Sequence, residues 1–437
     1  MKGYKKRFNN RTLAEEYNRV TGHGTLYPMI FDTASRCEIT DIEGNNYTDF
    51  SSGYGVINIG WQRKELIKVI QTQAEKSCFS IPWMGNPEAT RLAEKLIMLT
   101  PEKLQKCIRA TGGADANELA LKALYSRHGG DILSFYYSYH GGTSVTLSLG
   151  DSKRFHFPGN PSRLLEFKAY PPHCYRCPFS RCYGKCSFEC AESVEKILKG
   201  NPFIKMMIIE PVIVSGGIIV PPGEYWKILR EICNRYDIKL IVDEVLTGFG
   251  RTGSLFAIDQ IEIVPDVLTL SKGMCSGYVP IGAALMTSEL SDYLCRNFND
   301  VTSTYAWTPL ACAVALENIN LIIQEKLDLN AQIMGTYFIN RLREIFNRCL
   351  PDETGDIRGK GLMIGVELVK DRKTKEPAHF LGKKIVLACQ KNGLIIGAAW
   401  DWNVLVFLPP LIITQPELDK GMNILEDTLR KYIKKSF

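Results

Sequence analysis

Three segments of the chain place reactive side chains beside apolar runs that have the pattern of strands or helices. The apolar run at residues 240–242 is followed by Asp243, and the run at 267–270 is followed by Lys272. A glycine-rich turn at 111–114 opens a stretch with amphipathic helical spacing. Ligands of open α/β sheets bind at the carboxyl ends of the strands. We therefore expect these three segments to meet at one site.

Together, these residue types suit one cofactor chemistry. Free amides at a helix N-terminus bind phosphate, and glycine lets the anion approach closely. A partly desolvated Lys272 can attack a carbonyl as a neutral amine. A buried Asp243 facing a pyridine nitrogen keeps that nitrogen protonated, so that the ring can accept electrons. Each feature alone has an ordinary explanation, as a surface lysine, a helix cap or a turn. Their combination favours a phosphorylated pyridine aldehyde as the cofactor.

Composition narrows the class of protein. The 437 residues suggest two domains, and 45% hydrophobic with 23% charged residues is typical of a globular protein. The net charge of +6 is small, and no basic stripe with interleaved aromatics indicates nucleic-acid binding. No apolar run is long enough to cross a bilayer, and no apolar segment of the secretory type follows the start. We expect a cytoplasmic protein whose 14 cysteines are mostly reduced.

Strand-like and helical patterns alternate between about residues 105 and 290, which predicts a mostly parallel sheet covered by helices on both faces. The candidate strands are 132–136, 206–209, 240–242, 267–270 and 283–286. After Pro309, a long helical region, two strand-like stretches (362–368 and 404–408) and a final helix indicate a smaller α+β domain.

The domain organisation follows from this pattern. We predict a large domain at 51–308, with a cysteine-rich insertion at about 171–190, and a small domain built from 1–50 and 309–437.

A series of motifs in order gives the chain a family resemblance. They are TGGADANE at 111–118, SYHGG at 138–142, EPV at 210–212, VDEVLTGFGRTG at 242–253, PDVLTLSKGMCSGYVPIGA at 265–283, STYAWTPLACAVAL at 303–316 and DIRGKGLMIGVEL at 356–368. With them the chain resembles the class-III aminotransferases, enzymes of fold type I that use pyridoxal 5'-phosphate (PLP). The resemblance covers nearly the whole chain. It implies a large, doubly wound, mostly parallel sheet domain beside a smaller α+β domain.

The resemblance also implies roles for individual residues around the cofactor ring. Lys272 would bind the cofactor covalently and later move the proton. Asp243 would pair with the pyridine nitrogen. Val245 would pack under the ring, and Tyr139 would stack on its other face.

Further roles concern the phosphate and the subunit interface. The amides of Gly113 and Ala114 would hold the phosphate. Thr304 would reach the phosphate of a partner subunit, which implies at least a homodimer. His140 lies beside the stacking Tyr139, and it either helps to place the ring or is a core histidine.

Two positions depart from the family's usual pattern together. The usual EPIQGEGG segment is EPVIVSGG here, so Ser215 stands in place of a glutamate. Val406 stands in place of the usual arginine, which binds the substrate α-carboxylate in relatives and pairs with that glutamate. Without such a charge-assisted hydrogen bond, affinity for an α-amino acid falls by about ten- to a hundredfold. Either another basic residue replaces the arginine, or the main substrate has no carboxylate at this place.

The second option predicts an amine or aldehyde on a sugar, cyclitol, polyol or alkyl chain. An amino sugar in secondary metabolism, such as aminoglycoside biosynthesis, is one such substrate. Leu246 replaces a usual glutamine, a change shared by class-III aminomutases, so a mutase, an epimerase or a racemase stays open. A non-catalytic PLP-binding protein is the remote alternative. Tyr54, Trp83 and Met84 match segments that line the substrate channel in relatives, or they are ordinary interface or core residues.

The segment 173–190 is unusually rich in cysteine, with Cys174, Cys177, Cys182, Cys186 and Cys190. C-x-x-C followed by further thiols is a spacing found in zinc sites, although the separated second C-x-x-C is missing. Some relatives carry a similar CYRCPF insertion. We expect a reduced, packed loop and assign no metal to the catalytic site, while a structural metal or a disulfide stays open.

Overall fold

The structure is a computed structural model that describes residues 9–21, 29–81, 83–151, 167–181, 183–297, 303–399 and 401–433. No helix in these ranges is both long and apolar enough to cross a membrane. The helices are α1 (Asn10–Thr21), α2 (Ser52–Gly55), α3 (Lys64–Lys76), α4 (Pro87–Leu99), α5 (Gly113–His128), α6 (Ser144–Leu149), α7 (Glu189–Gly200), α8 (Gly223–Arg235), α9 (Ile258–Ile261), α10 (Ser288–Asn297), α11 (Pro309–Gln324), α12 (Leu327–Cys349), α13 (His379–Lys391) and α14 (Gln415–Ile433).

The strands form three sheets. They are β1 (Phe31–Ser35), β2 (Glu38–Asp41), β3 (Asn46–Asp49), β4 (Lys106–Ala110), β5 (Asp131–Phe135), β6 (Phe167–Ala169), β7 (Ile204–Ile209), β8 (Lys239–Asp243), β9 (Val267–Leu270), β10 (Gly282–Met286), β11 (Thr354–Lys360), β12 (Met363–Asp371), β13 (Glu376–Pro377), β14 (Leu394–Ile395), β15 (Gly397–Ala399) and β16 (Val404–Phe407).

The central sheet has seven strands in the order β4-β10-β9-β8-β7-β5-β6. Only β10 runs antiparallel to its neighbours, so the prediction of a mostly parallel sheet is confirmed. Every residue of β9 and β10 is buried, as expected for strands covered on both faces. The five predicted strands are present with boundaries shifted by at most two residues.

Helix α5 joins this sheet to the predicted phosphate turn. It begins at Gly113 and ends before Gly129, whose φ of +61° is a conformation that favours glycine. The apolar face predicted from its spacing is buried: Ala116, Leu119, Ala120, Ala123 and Leu124. This face packs against β4, β9 and β10, which fixes the N-terminus of α5 beside the sheet.

Two smaller sheets lie in the rest of the chain. One has the order β11-β12-β16-β15 with β13 paired to β12, and the other has the order β1-β2-β3-β14. Because β3 pairs with β14, the first 50 residues join the C-terminal part of the chain, which supports the predicted small domain. Helix α11, however, packs mainly on α3 and α4, which the predicted boundary at residue 308 assigned to the large domain. The division of the domains stays a prediction.

Four of the five clustered cysteines line one small pocket: Cys174, Cys177, Cys186 and Cys190. Cys182 lies outside the described residues. No described cysteine forms a disulfide, and no group of three metal-ligating side chains in the described ranges is arranged to hold an ion. Burial raises the pKa of Cys174 to about 11 and that of Cys190 to about 12, so both thiols stay protonated at neutral pH.

Candidate active site

Four neighbouring parallel strands end at one cavity of about 430 Å³. Lys272 follows β9, Asp243 ends β8, Glu210 follows β7, and Tyr139 lies four residues beyond β5. The cavity volume is within the range of small-molecule sites. All the predicted site residues except Thr304 and Trp83 line this cavity. The predicted residues that line it are Tyr54, Gly113, Ala114, Tyr139, His140, Ser215, Asp243, Val245, Lys272 and Val406.

Lys272 occupies a strained turn directly after β9. Its φ is +35°, in the left-handed region that a non-glycine residue rarely adopts. Asn318 of α11 holds the turn, because its side-chain amide donates to the carbonyls of Gly273 (2.8 Å) and Met274 (3.0 Å). Burial lowers the pKa of Lys272, while the nearby carboxylates of Asp243 and Glu210 raise it. The net effect is a pKa below the ordinary lysine value, which makes the amine more available to attack a carbonyl.

The carboxylate of Asp243 is held by three donors. His140 Nδ1 lies 2.8 Å from Asp243 Oδ2, and Asn117 donates to the same oxygen over 2.8 Å. The amide of Val245 donates to the other oxygen over 3.0 Å. Asn117 is itself fixed, because Thr269 donates to its side-chain oxygen over 2.7 Å. The buried His140 therefore contacts Asp243 directly, and its role in placing the ring stays a prediction.

Sequence reasoning missed Asn117 and Glu210 as site residues. Asn117 is a polar residue on the otherwise apolar face of α5, and that break in the pattern was an available signal. Glu210 accepts hydrogen bonds from the amides of Tyr139 (2.9 Å) and Val214 (3.4 Å), so it links two segments that line the cavity. Burial raises the pKa of Glu210 to about 7.

Glu244, next to Asp243, has a different task. It accepts hydrogen bonds from the amides of Ala257 and Ile258, both over 2.8 Å, and from the hydroxyl of Thr247. Burial raises the pKa of Glu244 to about 7 as well. Glu244 does not line the cavity, and its hydrogen bonds instead hold the loop that follows β8.

The N-terminus of α5 forms the opposite end of the cavity. Gly112 precedes the helix, and no side chain in the described residues caps it. A Cβ added at Gly113 would lie 2.6 Å from Cγ1 of Val245, and one added at Gly141 would lie 2.6 Å from Cβ of Ala114. The glycines thus let three segments approach closely and leave the first helix amides facing the cavity, where an anion is stabilised.

The residues present fit PLP on these observations. The α5 amides suit its phosphate, the buried Asp243 suits its ring nitrogen, and Lys272 suits its aldehyde. The buried Nε2 of His140 has no partner among the described residues, which leaves one polar atom available to an additional group.

A family model described as aminotransferase class-III matches residues 21–429. The chain belongs to the class-III aminotransferase family.

Individual relatives agree over nearly the whole chain. A leucine/methionine racemase from Thermococcus litoralis is 34% identical over 424 residues, which cover 95% of this chain and 94% of that protein. A taurine–pyruvate aminotransferase from Bilophila wadsworthia is 32% identical, with 92% of each chain covered. The solved structure of a thermostable (S)-enantioselective omega-transaminase from Thermomicrobium roseum has a TM-score of 0.88 and 31% identity, and the match covers 97% of this chain and 99% of that one.

These comparisons confirm the family resemblance, fold type I, the expectation of an enzyme and PLP as the cofactor. The remote alternative of a non-catalytic binding protein is not supported.

Two of the predicted residues of this class-III aminotransferase lie away from the cavity. Thr304 is exposed, and 78% of Trp83 is accessible to solvent. Met84, named with Trp83 as a channel residue, is also exposed. Within one chain the structure therefore does not bring these side chains to the cavity.

The close approach of Gly113 to Val245 predicts that adding one methyl group at residue 113 weakens cofactor binding. Gly113→Ala forces Val245 to move into the cavity, at a cost of about 1–3 kcal/mol. We expect PLP binding to the apoprotein to weaken by roughly five- to a hundredfold, measured as the Kd in a spectroscopic titration. Gly112→Ala is the matched control, because its Cβ would meet no atom within 4 Å. Equal affinities for the two variants would contradict this assignment.

The charge of Glu210 predicts a shift in the titration of Lys272. Above about pH 7 Glu210 is ionised and raises the pKa of Lys272, so Glu210→Gln lowers that pKa further. The rate at which the apoprotein binds PLP should then reach its midpoint at a lower pH than in the wild type. Glu244→Gln, an equally buried carboxylate outside the cavity, should leave the midpoint unchanged. A common shift in both variants would show a general effect of burial.

Proposed function

We propose that this class-III aminotransferase moves an amino group between a donor amine and a carbonyl acceptor, and that its distinguishing substrate carries no α-carboxylate. One observation carries the proposal: none of the described residues that line the cavity is an arginine. Arg358, which contacts the adjoining turn, already bonds Asp356, Glu367 and the carbonyls of that turn. It does not replace the arginine missing at Val406.

The wall of the cavity refines the substrate class. Val214, Ala399 and Val406 belong to one buried apolar cluster, and Leu246 packs against it. Hydroxyl groups placed against such a wall lose their hydrogen bonds with water. The wall therefore favours an aliphatic or aromatic amine or aldehyde over the amino sugar expected from the sequence. Neither relative described above is named for an amino sugar.

The residues of the cavity divide the work of the reaction. When bound, PLP supplies a conjugated ring that accepts the electrons released at the substrate carbon. Lys272 would take the proton from that carbon and return it, and burial, which lowers the pKa of its amine, suits it to act as a base. Asp243, fixed by His140 and Asn117, would hold the ring nitrogen through its carboxylate. Tyr139 lies across the cavity, with its backbone held by Glu210.

A racemase is the second candidate, and the racemase from Thermococcus litoralis favours it. Racemisation would use the same lysine and the same cofactor contacts. It would differ by returning the proton to the opposite face of the substrate carbon and keeping the amino group on the substrate.

We further propose that the active unit is a homodimer. Thr304 is exposed in one chain and does not line that chain's cavity. In a homodimer it reaches the phosphate end of the partner's cavity, as the family resemblance implies. The exposed Phe79 and Tyr305, whose rings are in contact with centroids 6.0 Å apart, supply apolar surface near Thr304 for the second copy to cover.

The visible spectrum of the purified holoenzyme tests the reaction. We expect primary amines to bleach the PLP band and a carbonyl acceptor to restore it, whereas glutamate and alanine act at least about tenfold more weakly than a non-carboxylate amine. Lys272→Ala should lose the lysine-bound spectrum and more than about a thousandfold in rate, since it removes both nucleophile and base. A protein that never bleaches, yet converts one enantiomer of leucine or methionine into the other, is instead a racemase.

Restoring the arginine tests the substrate class. Val406→Arg should increase kcat/KM for an α-amino acid relative to an amine by about ten- to a hundredfold, because it adds a charge-assisted hydrogen bond. Val406→Met controls for the added volume. The pair Ser215→Glu with Val406→Arg tests whether a neighbouring carboxylate stabilises the buried guanidinium. If wild type already prefers the α-amino acid by a wide margin, the proposed substrate class is wrong.

A further inference from the structure

The turn at residues 213–219 forms part of the substrate wall and is a well-defined structural unit. Ile213 and Ile219 exchange backbone hydrogen bonds of 3.0 and 2.9 Å, and the amide of Gly217 donates to the carbonyl of Val214 over 2.9 Å. Gly217 has a φ of +96°, and a Cβ there would lie 2.7 Å from Cγ2 of Val404. The turn, which carries Ser215, is therefore pressed closely against β16.

Arg358 of β11 bonds this turn from the other side. Its Nη2 donates to the carbonyl of Gly217 over 2.6 Å, and its Nε lies 3.0 Å from the carbonyls of both Gly217 and Ile218. Its Nη1 donates to Asp356 over 2.9 Å and to Glu367 over 2.6 Å. Ion pairing with the two carboxylates alone would not require the bonds to the carbonyls of the turn. Two of its three nitrogens instead face the turn.

Glu367 of β12 balances the charge of Arg358 in a buried setting. The side chain of Glu367 is fully buried. Burial alone would raise its pKa, but the neighbouring His173 and the guanidinium groups of Arg358 and Arg176 lower it to about 2. Glu367 therefore stays ionised and keeps Arg358 oriented, since a buried charge without its partner is strongly unfavourable.

The second guanidinium comes from the cysteine-rich segment. Arg176 Nε bonds the remaining oxygen of Glu367, and its Nη1 donates to the carbonyl of Lys375 over 2.6 Å. Lys375 in turn donates to the carbonyl of Tyr175 over 2.7 Å. The segment that holds the clustered cysteines is thus bonded to Glu367 of β12, the same carboxylate that pairs with Arg358.

We propose that Arg358 is a positioning residue for substrate specificity, because it fixes the part of the wall that Val214 and Ser215 form. Glu367 and Arg176 hold Arg358 in place. Because Arg176 belongs to the cysteine-rich segment, that segment is part of the structure that selects the substrate. The proposal rests on the proposed function for its substrate readout. Its structural half, the restraint of the turn by Arg358, stands independently.

Holoenzyme variants test both halves. Arg358→Met removes the contacts, and Arg358→Lys keeps the charge without the planar fork. Arg230→Met is the matched control, because Arg230 is similarly buried and bonds a carboxylate (Asp266, 3.2 Å) and a carbonyl (Ile238, 3.3 Å) far from the cavity. Hydrogen exchange of the peptide covering 212–220 reports the turn. Spectral titration with a small and a bulky primary amine reports the wall without requiring turnover.

Arg358→Met should increase exchange in this peptide and change the ratio of apparent Kd values for the two amines by about tenfold, since a displacement of about 1 Å near a site can have effects on the order of a hundredfold. Arg176→Met and Glu367→Gln should change the Kd ratio in the same direction as Arg358→Met, but by a smaller factor. Arg358→Lys should have a ratio between those of Arg358→Met and the wild type. Arg230→Met should change neither the exchange nor the ratio. The spectrum without amine should be unaltered in all of them.

Two results overturn the proposal. Unchanged exchange in Arg358→Met shows that the turn does not depend on Arg358. Increased exchange with an unchanged ratio shows that the turn is restrained but does not select substrate. Neither result bears on whether the protein transfers amino groups. That assignment fails if amines produce no spectral change in the wild type, or if the wild type only interconverts enantiomers.

Discussion

A buried carboxylate at the end of β8 is the group on which the rest of the site depends. Removing an ionised carboxylate from water is costly unless donors replace the lost solvent, and Asp243 receives such donors from His140, Asn117 and the amide of Val245. Each donor belongs to a different element, so the requirement to satisfy one charge ties β8, α5 and the segment after β5 together. The same charge raises the pKa of Lys272 against the effect of burial. Cofactor contacts and lysine chemistry are therefore coupled through one residue.

The proposed cofactor side of the cavity (Lys272, Asp243 and the start of α5) and its proposed substrate side (Val214, Ala399 and Val406) are built differently. The cofactor side comes from the ends of parallel strands, whose positions are fixed by the ladder of the central sheet. The substrate side combines the turn after β7 with β15 and β16 of a second sheet. Two sheets can change their relative contacts without disturbing either ladder. This arrangement lets one cofactor chemistry serve different substrates, since only the second part needs to vary.

The elements that form the proposed cofactor side could be predicted from the sequence because their signals are local. Strands that are apolar on both faces, a glycine turn before an amphipathic helix and polar residues at strand ends can all be read from short windows. It missed β4, whose residues alternate between partly exposed and buried, and β6, which has three residues. It also missed Glu210, because what matters there is the spatial meeting of Tyr139 and Val214, which are far apart in sequence. Trp83 and Thr304 could be placed only by resemblance, and one chain does not bring them to the cavity.

Relatives that catalyse different reactions can share this fold because the substrate side of the cavity can differ between them. A racemase and an aminotransferase both need the lysine, the ring-nitrogen carboxylate and the phosphate amides, so these residues cannot separate the two activities. What separates them is whether the amino group leaves with the cofactor or returns to the same carbon, and that depends on how the substrate is held during the proton transfer. In this chain the proposed substrate side of the cavity has an apolar wall and, among its described lining residues, no guanidinium. An apolar wall restrains orientation less than a bidentate ion pair does, because it offers no directional bond. The buried bonds of Arg358 to the turn compensate by making the wall itself rigid.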